Sequence, residues 1–234
     1  QRLLELAAHG HHLLCRACVA HEREQQVDRV FHRLEHFKPT QDICATYIWA
    51  LLLPRMVGRQ VKAASAKVIG ITGSNGKTTV TSLVGELLKA SGITTIVAGN
   101  IGIPILNTLD EKVPEVYVLE LSSYQLESTY SLALDTATIL NISEDHMDRY
   151  SSIDEYAKAK YRIFNHAKKC ILNRDDDYLK SFITDDTVTF GSDVDGINYG
   201  IKKNGSQYFI AKGNAEIIGI DEIKLKGAHN IQNV

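Results

Sequence analysis

The stretch from Lys67 to Leu88, KVIGITGSNGKTTVTSLVGELL, determines the fold that we predict for most of the chain. Its first six residues are rich in β-branched side chains, which is typical of a buried strand, whereas apolar residues recur at helical spacing after Lys77. The polar, glycine-rich segment 73–76 lies between the two. A strand, a tight loop and a helix N-terminus in this order form an anion site, because unpaired amides and the positive end of the helix dipole converge there.

This loop resembles the phosphate-binding pattern G-x-x-x-x-G-K-[ST], although it is shorter, since Ile71 stands where the first glycine would be. The Lys77 ammonium would reach the outer phosphates of a nucleotide, and the Thr78 hydroxyl would bind Mg²⁺. An ordinary glycine turn is the alternative, but the strand and helix on either side favour a nucleotide site. The predicted nucleotide-binding residues are Gly73, Ser74, Asn75, Gly76, Lys77, Thr78 and Thr79.

Composition excludes several classes of protein. The net charge of −2 provides no overall basicity for binding nucleic acid. No apolar run approaches the roughly 18 residues that a membrane-spanning helix needs. The four cysteines are not spaced like a disulfide framework, which favours a reducing compartment. We therefore expect a cytoplasmic enzyme that binds neither nucleic acid nor membranes. We also expect a monomer, which composition does not itself indicate.

The composition changes near Ala66. Residues 1–66 contain seven arginines and two lysines, whereas residues 67–234 contain three arginines and fourteen lysines. We predict a separate segment of unknown fold, irregular or helical, at 1–66. Cys15 and Cys18 lie near several histidines, which leaves a zinc site open, but no second ligand pair follows at a suitable distance.

Further strand and helix patterns follow the phosphate loop. Strands predicted at 93–98, 116–121, 137–142 and 169–173, with a helix at 153–164, indicate an α/β fold with a mostly parallel P-loop-type sheet flanked by helices. From Thr187 onward, short alternating segments ending with 222–225 predict a small appended antiparallel sheet. Ligands of open α/β sheets bind at the carboxyl ends of the strands.

Two candidate metal ligands follow strands of this sheet. Glu120 ends the strand at 116–121, and His146 lies shortly after the strand at 137–142. Either residue alone would more often be a solvated group at a strand end. Together, beside a bound triphosphate, a carboxylate and an imidazole favour Mg²⁺ ligation, because Mg²⁺ takes few protein ligands.

Six ordered motifs resemble those of the Mur ligases of peptidoglycan synthesis. They are TGSNGKTT (72–79), GNIG (99–102), LELSSYQLE (119–127), ILNISEDHMDRY (139–150), YAKAKYRIF (156–164) and GAHNIQN (227–233). The resemblance covers 67–234, which would be the family's central ATP-binding domain. The third motif is similar to that of the members that add D-glutamate to UDP-N-acetylmuramoyl-L-alanine.

The resemblance implies a mechanism and roles for individual residues. ATP would phosphorylate the carboxylate of UDP-N-acetylmuramoyl-L-alanine, and the amine of D-glutamate would displace phosphate from the resulting acyl phosphate. ATP and two Mg²⁺ ions are the implied cofactors. The implied catalytic residues are Lys77, His146 and Lys160. The implied metal ligands are Thr78 and Glu120 for one ion, and His146 and a carbamylated Lys160 for the other. The implied substrate contacts are Asn100, Ser122 and Gln125, with Asn230 near the adenine.

The family's other domains are not recognisable in this sequence. Residues 1–66 lack the glycine turn of a uridine-diphosphate-binding domain, and the third domain would follow Val234. We therefore expect little ligase activity from this chain by itself. Two alternatives stay open. A P-loop NTPase that drives a conformational switch would want an aspartate where Glu120 stands, and a non-enzymatic nucleotide or zinc module would be built around the N-terminal Cys/His cluster.

Overall fold

The computed structural model describes residues 66–101, 108, 112–130, 132–194 and 196–223. All of them belong to one compact unit, residues 46–234. The predicted helical character and zinc site of the N-terminal segment lie outside the described residues, as does Asn230. The domain boundary near Ala66 stays a prediction.

The described strands form one nine-stranded sheet with the order β2-β3-β1-β4-β5-β6-β7-β8-β9. The strands are β1 (Lys67–Thr72), β2 (Thr95–Gly99), β3 (Val116–Glu120), β4 (Thr136–Ile139), β5 (Cys170–Asn173), β6 (Val188–Phe190), β7 (Tyr199–Asn204), β8 (Gln207–Lys212) and β9 (Ala215–Gly219). The helices are α1 (Lys77–Ala90), α2 (Ser123–Glu127) and α3 (Ile153–Tyr161). Short 3₁₀ turns cover Arg162–Phe164, Lys180–Phe182 and Ile220–Glu222.

Strand β1 lies between β3 and β4, and all three run parallel. Ile71 of β1 pairs in register with Glu120 of β3, and Thr72 pairs with Ile139 of β4. The carboxyl ends of these strands therefore lie side by side, directly below the phosphate loop. This confirms the predicted α/β fold with a mostly parallel sheet.

The two faces of the sheet are covered by different helices. Val80, Val84 and Leu88 of α1 pack on one face, against the buried residues Ile71 and Val118. Helix α3 lies on the other face, where Tyr156, Ala157 and Ala159 join a larger buried cluster. Each fully buried large apolar side chain contributes about 1.5–3 kcal/mol relative to its exposed state. Burial on both faces leaves the carboxyl edge of the sheet as the place for a ligand.

The antiparallel meander β7–β9 is confirmed, but it continues the main sheet instead of forming a second one. Strand β6 pairs in parallel with β5, and a single pair, Phe190 with Tyr199, joins it in parallel to β7. The strand predicted at 222–225 is wrong at its start. Glu222 ends a 3₁₀ turn because its carboxylate accepts a hydrogen bond from the Gly219 amide at 3.1 Å, which turns the chain out of the sheet.

Arg174 connects the parallel and antiparallel parts of the sheet. Its backbone amide donates to the Phe190 carbonyl at 3.0 Å, and its Nη1 donates to the Tyr199 carbonyl at 2.8 Å. Nη2 donates to the carbonyl and the carboxylate of Asp193. A Cβ atom added at Gly191 would lie 2.8 Å from the Arg174 Cζ, so the guanidinium fills the space above a residue without a side chain.

We expect Arg174→Ala to lower the free energy of unfolding by about 2–3 kcal/mol, because two backbone carbonyls would lose a charged donor. Arg174→Lys should recover only part of this loss, since one ammonium cannot reproduce the fork of guanidinium donors. Urea denaturation measures both values. A cost below about 0.5 kcal/mol for the alanine variant, the range of an ordinary surface change, would contradict this connecting role.

Candidate nucleotide and metal site

The phosphate loop joins β1 to α1 in the predicted order. Gly76 caps the helix in the left-handed conformation, with φ 79°, which glycine adopts without steric cost. The Val80 amide donates to the Gly76 carbonyl and is the first amide of α1 with an acceptor inside the helix. The amides of Lys77, Thr78 and Thr79 precede it and therefore point out of the helix end, where an anion would meet them.

The loop is held in place by residues that follow β4. The Ser74 amide donates to the Asn141 carbonyl at 2.9 Å, and the Asn75 amide donates to the Asn141 side-chain oxygen at 2.8 Å. The Ser74 hydroxyl donates to the Ser143 carbonyl at 3.0 Å and accepts from the Ser143 amide at 2.9 Å. Sequence reasoning gave Asn141 and Ser143 no role. The available signal was their place in the motif ILNISEDHMDRY (139–150).

The Lys77 ammonium lies against the phosphate loop. Its ammonium donates to the carbonyls of Gly73 and Ser74, both at 2.9 Å. A phosphate in the loop would offer this ammonium a charged acceptor in place of neutral carbonyls, and charge-assisted hydrogen bonds are the stronger ones. The position therefore fits contact with a nucleotide phosphate.

Thr78 and Glu120, the predicted ligands of one Mg²⁺ ion, are in direct contact. The Thr78 hydroxyl donates to Glu120 Oε2 at 2.9 Å, and the Asn100 side-chain amide donates to Oε1 at 3.0 Å. Glu120 is only 1% exposed. The carboxylate oxygens of Glu120 and the hydroxyl oxygen of Thr78 are the hard oxygen ligands that Mg²⁺ prefers, so this pair fits such a cation.

His146 lies in a tight turn after β4, with its backbone in the left-handed region at φ 55°. The amides of Arg149 and Tyr150 both donate to its carbonyl. The imidazole centroid is 5.1 Å from the Tyr124 ring and 6.3 Å from the Tyr156 ring. Its side chain is 44% exposed. The ring is therefore accessible from the crevice.

Lys160 is buried on α3, although it carries a potential charge. Its ammonium donates to the Gly73 carbonyl at 2.9 Å and to the Thr72 hydroxyl at 3.4 Å. Burial, together with the nearby positive charge of Lys77, lowers the pKa of Lys160 to about 7, against the opposing effect of Asp145. Lys77 and Lys160 thus share the Gly73 carbonyl. A substantial fraction of the Lys160 amine is neutral near pH 7.

The comparisons with known proteins agree with this geometry. A sequence profile described as the Mur ligase middle domain matches residues 71–234. The chain belongs to the Mur ligase family. The UDP-N-acetylmuramoylalanine–D-glutamate ligase of Methylobacillus flagellatus is 47% identical over 178 residues, which cover 74% of this chain and 39% of that protein. The chain therefore spans about two fifths of the length of this curated relative.

Solved structures of the Mur ligase family share the fold. The structure of UDP-N-acetylmuramoyl-L-alanyl-D-glutamate–2,6-diaminopimelate ligase matches with a TM-score of 0.60 and 23% identity, covering 72% of this chain and 41% of that one. The MurF ligase of Thermotoga maritima, solved in complex with ADP, matches with a TM-score of 0.53 and 22% identity, covering 70% and 41%. The family resemblance predicted from the six motifs is confirmed.

In this Mur ligase chain, two predicted substrate contacts have a local structural role. The Gln125 amide donates to the Ser122 hydroxyl at 3.2 Å, and the Ser122 amide donates to the Gln125 side-chain oxygen at 2.9 Å. This reciprocal pair is a capping box that begins α2. Contact of Ser122 or Gln125 with a substrate stays a prediction.

The predicted metal ligands of this Mur ligase family member differ in their contacts. Thr78 and Glu120 are hydrogen-bonded to each other at the loop, whereas His146 and Lys160 each lie near the ring of Tyr156. Among the described residues, no group of three or more His, Cys, Asp or Glu side chains could hold a metal ion. A small number of protein ligands suits Mg²⁺, which keeps water and phosphate oxygens in its shell. None of the described helices has the length and apolar character to cross a bilayer.

Proposed function

We propose that residues 67–234 are the ATP- and Mg²⁺-binding domain of a ligase that adds D-glutamate to UDP-N-acetylmuramoyl-L-alanine. The observation that carries the proposal is the contact of Thr78 with the buried Glu120 at the phosphate loop. Identity of 47% to a D-glutamate ligase supports the choice of substrates. The proposal includes a cytoplasmic, monomeric enzyme without nucleic acid or membrane partners.

The reaction would proceed in two balanced steps. An oxygen of the substrate carboxylate bonds to the γ-phosphorus of ATP, and the bond from that phosphorus to the β-phosphate oxygen breaks, releasing ADP. The amine of D-glutamate then bonds to the acyl carbon, loses a proton and displaces phosphate. The outward-pointing amides of residues 77–79 and the Lys77 ammonium would hold the phosphoryl oxygens and balance their charge.

Mg²⁺, when bound, would screen the negative oxygens of ATP and of the acyl phosphate. Thr78 and Glu120 would hold one ion, and His146 with a carbamylated Lys160 would hold the second. As the family resemblance implies, Asn100, Ser122 and Gln125 would contact the UDP-sugar substrate. They follow β2 and β3 at the same edge of the sheet as the loop. Asn230 would lie near the adenine.

The chemistry of its amine supports the proposed carbamylation of Lys160. A neutral amine adds to CO₂, forming an N–C bond and releasing one proton, and the low pKa of Lys160 provides that neutral form near pH 7. We expect a carbamate signal by ¹³C NMR in ¹³C-bicarbonate that disappears in Lys160→Gln. The matched control is Lys158→Gln, since Lys158 is exposed on the same helix. A signal that survives in Lys160→Gln would contradict the modification.

A domain exchange tests the proposed ligase function. Residues 67–234 would replace the matching segment of the Methylobacillus flagellatus relative. We expect ADP release that requires both UDP-N-acetylmuramoyl-L-alanine and D-glutamate, and no turnover when the exchanged segment carries Lys77→Ala. A folded exchange protein that hydrolyses ATP without D-glutamate, or that is inactive, would contradict the proposal.

A further inference from the structure

Asp145 contacts two groups of the site, His146 and Tyr156. Its Oδ2 lies 3.5 Å from His146 Nε2. The same oxygen accepts a hydrogen bond from the Tyr156 hydroxyl at 3.4 Å. A surface ion pair of this kind would contribute little by itself. The shared oxygen distinguishes this carboxylate, because one of its two partners belongs to the buried core.

Tyr156 connects Asp145 to the phosphate loop. The tyrosine is only 1% exposed, and its phenol oxygen lies 3.3 Å from the Ser74 hydroxyl oxygen. Burial raises the pKa of Tyr156 to about 12, so its phenol stays protonated at neutral pH and can donate to Asp145. The Lys160 ammonium lies 4.5 Å from the centroid of the same ring. The Asp145 carboxylate is therefore attached to the rigid part of the site.

The His146 imidazole needs a fixed neighbouring group to hold its orientation. Its ring is partly exposed and its backbone has φ 55°, a conformation that non-glycine residues rarely adopt and that costs about 1–3 kcal/mol. Side chains that bind a metal through one imidazole nitrogen usually donate the other N–H to a carboxylate or carbonyl, which fixes the tautomer and the ring orientation. Asp145 is a carboxylate on the Nε2 side of this ring.

We propose that Asp145 is a positioning residue that keeps the proton of His146 on Nε2 and leaves Nδ1 as the metal-binding atom. The proposal rests on the proposed function, which assigns a metal ion to His146. Through Tyr156 and Ser74, the same carboxylate couples the orientation of this imidazole to the phosphate loop. Asp145 would orient the imidazole through its position beside the ring and not through a change in its own charge.

The first test is the tautomer of His146 in the complete chain, measured by long-range ¹H–¹⁵N NMR of the imidazole nitrogens. We expect the Nε2–H form in the wild type and a mixture of tautomers in Asp145→Ala. Asp148→Ala is the matched control, because Asp148 is an exposed aspartate of the same turn. A wild-type ring with its proton on Nδ1, or an unchanged Nε2–H form in Asp145→Ala, would overturn the proposal.

The second test separates the positioning role from the metal assignment. Mn²⁺ would be titrated by EPR in the presence of a non-hydrolysable ATP analogue. We expect Asp145→Ala and Asp145→Asn to weaken Mn²⁺ binding at the weaker of the two sites about tenfold, as loss of a ligand-orienting partner does, with no change in Asp148→Ala. Near-UV circular dichroism would verify that each variant is folded.

The variant His146→Asn distinguishes failure of the metal assignment from failure of the positioning proposal. Asparagine is a suitable replacement because it tolerates a positive φ. If His146→Asn leaves Mn²⁺ binding unchanged, the metal assignment in the proposed function is wrong, and the positioning proposal fails with it whatever the tautomer. If His146→Asn weakens binding but the Asp145 variants do not, only the positioning proposal is overturned.

Discussion

Gly99→Ala is expected to lower the free energy of unfolding by more than about 3 kcal/mol, the range that follows when a strained backbone and a steric overlap combine. Gly99 ends β2 with φ 121°, outside the regions that side-chain-bearing residues prefer. A Cβ atom at this position would overlap the carbonyl oxygen of Glu120, and it would also lie 2.9 Å from the Glu120 nitrogen. Backbone atoms of a central strand cannot move aside as a flexible side chain would.

Gly92→Ala is the matched control. Gly92 also has a positive φ, 79°, but its added Cβ would meet no atom within 4 Å. Gly92→Ala should therefore lower the free energy of unfolding only by the cost of the strained backbone, about 1 kcal/mol. The difference between the two variants in urea denaturation measures the overlap with Glu120. Equal losses of unfolding free energy would contradict the close approach of Gly99 to the Glu120 backbone.

Lys160→Met is expected to remove a pH dependence of stability. The pKa of Lys160 falls from 10.5, its ordinary value, to about 7 in the folded protein, mainly because of burial. Between these values the unfolded chain binds a proton that the folded chain has lost, so wild-type stability rises with pH by up to about 1.4 kcal/mol per unit. Below about pH 7 both states are protonated, and the full penalty of the buried charge applies.

Urea denaturation in CO₂-free buffer between about pH 7 and 9.5 measures this effect. The upper limit avoids ionisation of tyrosines, since burial raises the pKa of Tyr150 and Tyr156 and gives the opposite slope above their ordinary value of 10. Between the two ends of this pH range, we expect the free energy of unfolding of the wild type to rise by about 2–3 kcal/mol more than that of Lys160→Met. Parallel stability curves for the two proteins would contradict a lowered pKa at Lys160.

Local sequence patterns were sufficient to predict the central elements of the fold. The strand, loop and helix around Gly73–Lys77 were predicted because each has a strong periodicity or a strong turn signal, and the structure has them in the same order. The parallel arrangement followed from the alternation of strands and helices. The family resemblance assigns Thr78 and Glu120 to one Mg²⁺ ion, which stays a prediction, and the structure has their side chains in contact at 2.9 Å.

The features that sequence reasoning missed depend on non-local contacts. Helix α2 has only five residues, too few for a periodic pattern, and its capping box was interpreted as substrate contacts. The anchoring of the loop by Asn141 depends on β4 lying beside β1, which a single sequence does not reveal. The burial of Lys160 likewise contradicts what its own helix pattern would suggest, and only the family resemblance singled it out.

Calorimetric titration with MgATP tests the central claim, that the phosphate loop is a working nucleotide site. The account predicts binding by the wild-type chain and by Lys89→Ala, a control at the exposed end of α1. Lys77→Ala should bind at least about tenfold more weakly, because it loses charge-assisted hydrogen bonds to phosphate. A folded wild-type chain that does not bind MgATP, or a Lys77→Ala variant that binds equally well, would contradict the claim.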